Sequence, residues 1–225
     1  MTVETVFIPA LLCDGGLYAD LIEHLGDAVS AQIMMSPQPT LEESAADILA
    51  RAPEKFVLVG TSYGGNLALE IALAAPERIQ ALWLMGCDPA PAPEGRPELA
   101  NALATTPEII IDVLAASVAH PDHTEAAAAF KTLAMEVGSA AGVLQAGALG
   151  VRRDAVPRLG TLTMPALVLW GADDALVPVA IGQSLADALP HAHFHVLPQC
   201  GHLPTLERPA EAADLFRKFL SEELT

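Results

Sequence analysis

Short apolar runs bounded by turn residues alternate with longer stretches of helical period along most of this chain. Thr2 to Ile8 reads as a strand that Pro9 ends. Gly15 to Leu25 reads as a helix, and Gln32 to Met35 as a short strand before the Pro37-Gln38-Pro39 turn. Thr40, with Glu43 three residues on, is an N-cap signal that predicts a helix over Leu41 to Arg51. Phe56 to Val59 is continuously apolar, as a strand buried on both faces must be. An apolar helix over Asn66 to Ala75 follows, closed by Pro76, and then a second buried strand over Ile79 to Met85. Strand–helix alternation of this kind predicts a mostly parallel sheet with helices on both faces.

The alternation stops after Gly86. Asp88 to Gly95 carries Pro89, Pro91 and Pro93 and reads as loop. From about Pro97 to Arg153 the chain is alanine-rich and wholly helical in pattern. Alternation then resumes: a strand over Ala166 to Trp170, a helix over Val179 to Leu189, a strand over His193 to Leu197, and an amphipathic helix over Pro209 to Leu220. The expected organisation is one α/β core, residues 1–87 and 157–225, interrupted by a helical lid at 88–156. The lid's apolar positions, Ile109, Val113, Met135 and Leu144 among them, are expected to pack it onto the core, some of them lining an apolar pocket.

A length of 225 residues suits one large domain, and 52% hydrophobic residues argue against disorder. The 28 acidic and 11 basic residues give a formal charge of −17, which offers no electrostatic reason to bind nucleic acid or an anionic membrane surface. Met1 to Ile8 lacks the basic and long apolar regions of a secretory signal, and no apolar run approaches the roughly 20 residues that span a bilayer. Cys13, Cys87 and Cys200 are an odd set without a CxxC pair and read as reduced thiols. The expectation is a cytoplasmic protein.

Chemistry concentrates first in Gly60-Thr61-Ser62-Tyr63-Gly64-Gly65, which follows a buried strand and opens a helix. A sharp turn there strains the serine backbone, and Gly60 and Gly64 let neighbouring backbone pass close, so the Ser62 hydroxyl stands exposed at the sheet's C-terminal edge. A serine needs a base to take its proton. His202, in Gln199-Cys200-Gly201-His202-Leu203-Pro204 after the last strand, falls at that same edge. The imidazole needs a carboxylate in turn, and Asp173 and Asp174 compete for that role after the preceding strand.

With these residues the chain resembles the α/β-hydrolase superfamily over nearly its whole length. The match rests on the Ser62 elbow, Trp170-Gly171-x-x-Asp174-x-x-x-Pro178, and Gly201-His202 with Glu207-Arg208-Pro209 after it. The resemblance implies a Ser62–Asp174–His202 triad, since the family's acid typically lies three residues after the glycine. Asp88 is a further alternative, because some members carry the acid there. It also implies an oxyanion hole from the backbone N–H groups of Tyr63 and, by position in the Pro9-Ala10-Leu11 loop, Leu11. Many members have His-Gly where this chain has Pro9-Ala10. The family core often begins with an antiparallel hairpin; here the first strand runs straight into the oxyanion loop, so a minimal member with about six strands is expected. The implied activity is hydrolysis of a small or medium apolar carboxylic ester through an acyl-enzyme, with no cofactor. Thioester, lactone, amide or C–C hydrolysis, or perhydrolysis, would use the same triad, and a ligand receptor on the same fold is the alternative from another class.

Other features weigh less. His191, His193 and His195 share a strand face, but the sequence puts no carboxylate or cysteine beside them to complete a metal site. His120 and His123 read as a polar connection in the lid. Cys13 and Cys200 lie near the site but on no elbow, and read as packing residues. Nothing in the lid reads as a clamp for a charged substrate, Arg152 and Arg153 being the candidates if one exists.

Overall fold

The computed structural model describes residues 2–92 and 98–224. Six strands form one parallel sheet: β1 (Val3–Ile8), β2 (Val29–Ile33), β3 (Phe56–Thr61), β4 (Ile79–Met85), β5 (Ala166–Gly171) and β6 (Ala192–Leu197), in the order β2-β1-β3-β4-β5-β6. Helices α1 (Ala19–Leu25), α2 (Leu41–Arg51), α3 (Tyr63–Ala74), α8 (Val179–Ala188), α9 (Pro204–Glu207) and α10 (Pro209–Glu223) surround it. Helices α4 (Glu98–Thr105), α5 (Pro107–Ala115), α6 (Thr124–Val137) and α7 (Ser139–Gly150) lie between β4 and β5 in sequence. The proline-rich loop is described only to Ala92; Pro93 to Pro97 lie outside the described residues.

The period of two along each strand sorts the core into two layers. Phe7, Val59, Trp83 and Leu169 face one side, with α1, α10 and buried residues of the helical segment such as Leu103 and Phe130. Val6, Leu58, Leu84 and Val168 face the other, with α2, α3 and α8. Every residue of β3 and β5 is buried, which is why those runs are continuously apolar. Trp83 on β4 stacks on Phe216 of α10 at 4.3 Å between centroids.

Several boundaries differ from the sequence reading. The first predicted helix begins as a 3-10 turn over Gly15–Tyr18, with the Asp14 side chain accepting from Gly16 N, before α1 proper. The second strand is Val29–Ile33 rather than Gln32 to Met35. It is an edge strand with alternating burial, so it lacks the apolar run that marks β3. The lid pattern is not wholly helical: residues 116–123 connect α5 to α6 without helix and reach the candidate site. Ile109, Val113, Met135 and Leu144 are exposed, Ile109 by 63%, because short helices at a surface have an outer side to turn to water whatever their residue types. No single helix among the described residues is long and apolar enough to cross a membrane; α6 and α7 together carry enough apolar sequence but turn by 101° against each other at Gly138.

Strand order fixes where a site can form. The chain winds outward from β1 to β2 and returns to β3 beside β1, which makes a switch point between β1 and β3. Crevices outside the carboxyl ends of strands at such points are where open α/β sheets take ligands. The loops leaving β1 and β3 carry Leu11 and Ser62.

Candidate active site

Ser62 sits between β3 and α3 with φ 55° and ψ −117°, a conformation that costs an L-residue of order 1–3 kcal/mol. Packing forces it. A Cβ on Gly60 would lie 2.3 Å from the Gly64 carbonyl oxygen, and one on Gly64 2.1 Å from that of Ile8. The Ser62 N–H donates to Met85 O at 2.7 Å and its carbonyl accepts from Asn66 N at 3.0 Å, so the strained turn is tied to β4 on one side and to α3 on the other. The helix starts at Tyr63, three residues earlier than its apolar pattern suggested. The Tyr63 N–H therefore lies in the first turn, where no intrahelical acceptor exists, and it meets none elsewhere among the described residues.

The loop after β1 turns at Ala10 to Cys13, where Cys13 N donates to Ala10 O at 3.1 Å. Leu12 adopts φ 59°, and Leu11 N has no protein acceptor among the described residues. Two side chains that sequence reasoning missed hold this loop. Gln145, buried on α7, accepts from Leu12 N at 2.9 Å. Tyr18 donates its hydroxyl to Ile8 O at 2.8 Å and pairs with Thr61 Oγ1 at 2.9 Å, joining the ends of β1 and β3 just below the site. A buried Gln among Ala and Gly on a helical pattern is the one signal that could have pointed to Gln145.

His202 and Asp174 meet: Nδ1 lies 2.8 Å from Asp174 Oδ2, and the two side chains are 3% and 1% exposed. Asp174 Oδ1 accepts from Leu176 N and Val177 N, both at 2.9 Å, so three partner atoms, with His202 Nδ1 the third, hold the carboxylate. The two other aspartates are elsewhere occupied. Asp173 faces His120 Nε2 at 3.9 Å, and Asp88 accepts from Ala90 N at 3.0 Å and pairs with Arg152 at 3.5 Å.

Ser62 and His202 line one cleft, which encloses about 280 Å³ of space, part of it open to solvent. Its remaining lining is apolar: Ala10 and Leu11 from the β1 loop, Leu114, Val118 and Phe130 from the helical segment, and Leu176 and Leu203 beside the Asp and His loops. Arg152 and Arg153 do not line it. Arg152 donates to Ala90 O and Leu149 O and pairs with Asp88, while Arg153 pairs with Glu42 at 2.8 Å.

The thiols are buried and held far above the usual thiol range, Cys13 by burial and then by the charge of Asp14, Cys200 by burial and then by that of Glu207. A neutral buried thiol is a poor nucleophile. On β6, His193 is paired with Glu223 at 2.9 Å, a carboxylate on α10 that is distant in sequence; burial, and after it the neighbouring His193 and Lys218, lower the His195 pKa. His120 and His123 do more than connect helices: His123 Nε2 lies 3.0 Å from Gln199 O, beside the His202 loop.

Comparison with known proteins agrees with this fold. Residues 5–215 match the sequence profile of the alpha/beta hydrolase family. Over 190 residues the chain is 33% identical to a pimeloyl-[acyl-carrier protein] methyl ester esterase of Citrobacter koseri, covering 76% of this chain and 72% of that protein. It is 30% identical over 162 residues to a 2-hydroxy-6-oxononadienedioate/2-hydroxy-6-oxononatrienedioate hydrolase of Cupriavidus pinatubonensis, covering 66% of this chain and 56% of that one. This chain thus spans little more than half the length of that C. pinatubonensis relative, and 63% of a similar hydrolase of Dechloromonas aromatica. An esterase of Thermogutta terrifontis superposes with a TM-score of 0.88 at 22% identity, over 99% of this chain and 91% of the other. The enol-lactonase of Burkholderia xenovorans gives 0.88 at 20% identity, over 98% and 92%. A parallel sheet of this order, a strained serine where β3 meets α3, an aspartate-paired histidine that lines the same cleft as the serine, and a profile match over most of the sequence converge, and the chain belongs to the α/β-hydrolase family.

Proposed function

We propose that this chain is a serine hydrolase that cleaves a carboxylic ester of a small or medium apolar substrate through an acyl-enzyme. The observation that carries the reading is the buried His202 Nδ1–Asp174 Oδ2 contact at 2.8 Å beside a cleft lined by both Ser62 and His202. An ionised Asp174 keeps the proton on Nδ1, which leaves Nε2 as the acceptor.

In this mechanism Nε2 takes the Ser62 Oγ proton as Oγ attacks the ester carbonyl. The carbonyl π electrons move onto oxygen, where the N–H groups of Leu11 and Tyr63 donate to the oxyanion. As the intermediate collapses, the C–O bond to the leaving group breaks and Nε2–H protonates the departing alkoxide. Water then repeats the sequence on the acyl-enzyme: His202 takes its proton, hydroxide adds, and Ser62 leaves with the proton returned. The helical segment at 88–156 acts as a lid, contributing Leu114, Val118 and Phe130 to the acyl side of the cleft.

The same residues would serve thioester, lactone, amide or C–C cleavage. Electrostatics favour a neutral ester over the dicarboxylates named for some relatives. His202 is the cleft's one titratable lining residue, Arg152 and Arg153 are paired elsewhere, and the chain carries −17.

The test is steady-state turnover of p-nitrophenyl butyrate by wild type and Ser62→Ala. The variant is expected to keep its melting temperature and lose at least about a thousandfold in kcat. Undiminished turnover would sink the assignment, and a single-hit reaction of the wild type would favour the receptor alternative.

A further inference from the structure

Glu207 is a buried carboxylate, 6% exposed, that ends the single turn α9. No cation pairs with it among the described residues. Three backbone N–H groups donate to it, and the Cys200 thiol lies beside it. Oε2 accepts from Gly201 N and from His120 N, each at 2.8 Å, and Oε1 accepts from Leu203 N at 3.1 Å. Gly201 and Leu203 flank His202. The N–H between them, that of His202 itself, donates to Val118 O at 3.0 Å. Three successive donors are thus fixed, two by one carboxylate and one by the α5–α6 connection that the same carboxylate also holds through His120.

Packing at this point leaves no slack. A Cβ on Gly201 would lie 2.6 Å from His120 N, and one on Gly171, in the strand before the Asp174 loop, 1.9 Å from Gly201 O. The acid loop, the histidine loop and the α5–α6 connection are therefore stacked backbone on backbone. Hydrogen bonds to an ionised acceptor are stronger than neutral ones, and a buried carboxylate without a cation needs several of them.

We infer that Glu207 is a positioning residue for His202: it fixes the backbone that carries the imidazole and locks that backbone to the α5–α6 connection, so that Nε2 is held at Ser62 and the cleft wall at Val118 moves with it. This rests on the reading of His202 as the base. A residue with this role acts on the chemical step more than on binding, since near-attack geometry lost by about 1 Å costs on the order of 10²-fold in rate.

The experiment compares Glu207→Gln, Glu207→Asp and His202→Ala on p-nitrophenyl butyrate, with melting temperature recorded for each. In Glu207→Gln one carboxylate oxygen becomes an NH₂ that meets at least one backbone N–H donor to donor. The expected result is a fall in kcat of about 10- to 100-fold with KM within about twofold. Glu207→Asp keeps an acceptor-only carboxylate on a shorter stem and is expected to recover part of the loss. A Glu207→Gln protein that melts earlier but retains wild-type kcat overturns the inference, because Glu207 would then only brace the fold. If Glu207→Gln does not fold, Glu207→Asp decides by the same split: lowered kcat at constant KM supports the role, and unchanged kcat overturns it. His202→Ala separates the two readings. If it is inactive while Glu207→Gln keeps wild-type kcat, only the positioning role falls; if it retains turnover, the base assignment itself falls.

Discussion

The two halves of the candidate site are held in place by different physics. On the serine side the backbone is forced by contact: Ser62 has φ 55° because Gly60, Gly64 and the end of β1 leave no other path. On the histidine side the backbone is packed as closely at Gly171 and Gly201, but the segments that carry the functional side chains are held in addition by polar side chains reaching to backbone N–H groups, Asp174 to Leu176 and Val177, Glu207 to Gly201 and Leu203. Steric constraint tolerates almost no change and fails by unfolding. Hydrogen-bonded constraint can lose one bond and survive with its geometry loosened. The serine side should therefore respond to substitution in stability, and the histidine side in rate.

The largest expected effect comes from Gly64→Ala. Its Cβ would meet backbone, the Ile8 carbonyl oxygen, which cannot rotate away as a side chain can. The protein is expected to lose at least about 3 kcal/mol, read by urea denaturation, or not to accumulate at all. A variant with wild-type stability would mean the elbow is looser than its packing implies.

Asp174→Asn makes the opposite case. The Asn can keep an oxygen toward Leu176 and Val177 while its NH₂ faces His202 Nδ1. A donor there demands the tautomer with the proton on Nε2, which cannot accept from Ser62. The expected outcome is a drop in kcat of about 10³- to 10⁴-fold with a melting temperature shifted by only a few degrees. Equal losses in stability and rate would erase the contrast between the two sides.

Gln145→Leu tests the side-chain brace on Leu12 N in the Leu11 loop and should give the smallest effect. It leaves Leu12 N–H buried and unsatisfied, at a cost of about 1–3 kcal/mol. Leu12 is held at φ 59°, so the loop is also expected to relax and kcat to fall by about 10-fold while Ser62 remains reactive toward a small phosphonate. Reactivity lost toward both probes would point to damage at the elbow instead.

Much of this arrangement was legible along the chain because its causes are local. β3 and β5 read as buried strands since both faces are covered, and Gly60 to Gly65 reads as an elbow since the turn demands small residues next to the serine. β2 was misplaced because an edge strand is half solvated and carries no continuous apolar signal. Of the apolar positions in the helical segment, Leu103, Ile110, Leu114, Phe130, Leu133 and Val143 pack on the core as expected, but Ile109, Val113, Met135 and Leu144 were misread because helical period says that a face exists, not which one is buried: Phe130 turns inward and Met135 outward on the same helix.

The sequence by itself determined the α/β alternation, the serine at the strand–helix turn, and the presence of a histidine and candidate aspartates after the last two strands. Those features depend on residue type and on neighbours a few positions away. Only the tertiary structure decided between Asp174, Asp173 and Asp88 as the partner of His202, and only it joined Gln145 to Leu12 and Glu207 to His120, across 133 and 87 residues of sequence. A hydrogen bond depends on tenths of an ångström between groups that sequence separation does not constrain, so it is the packed sheet and helices, not the order of residues, that selects it.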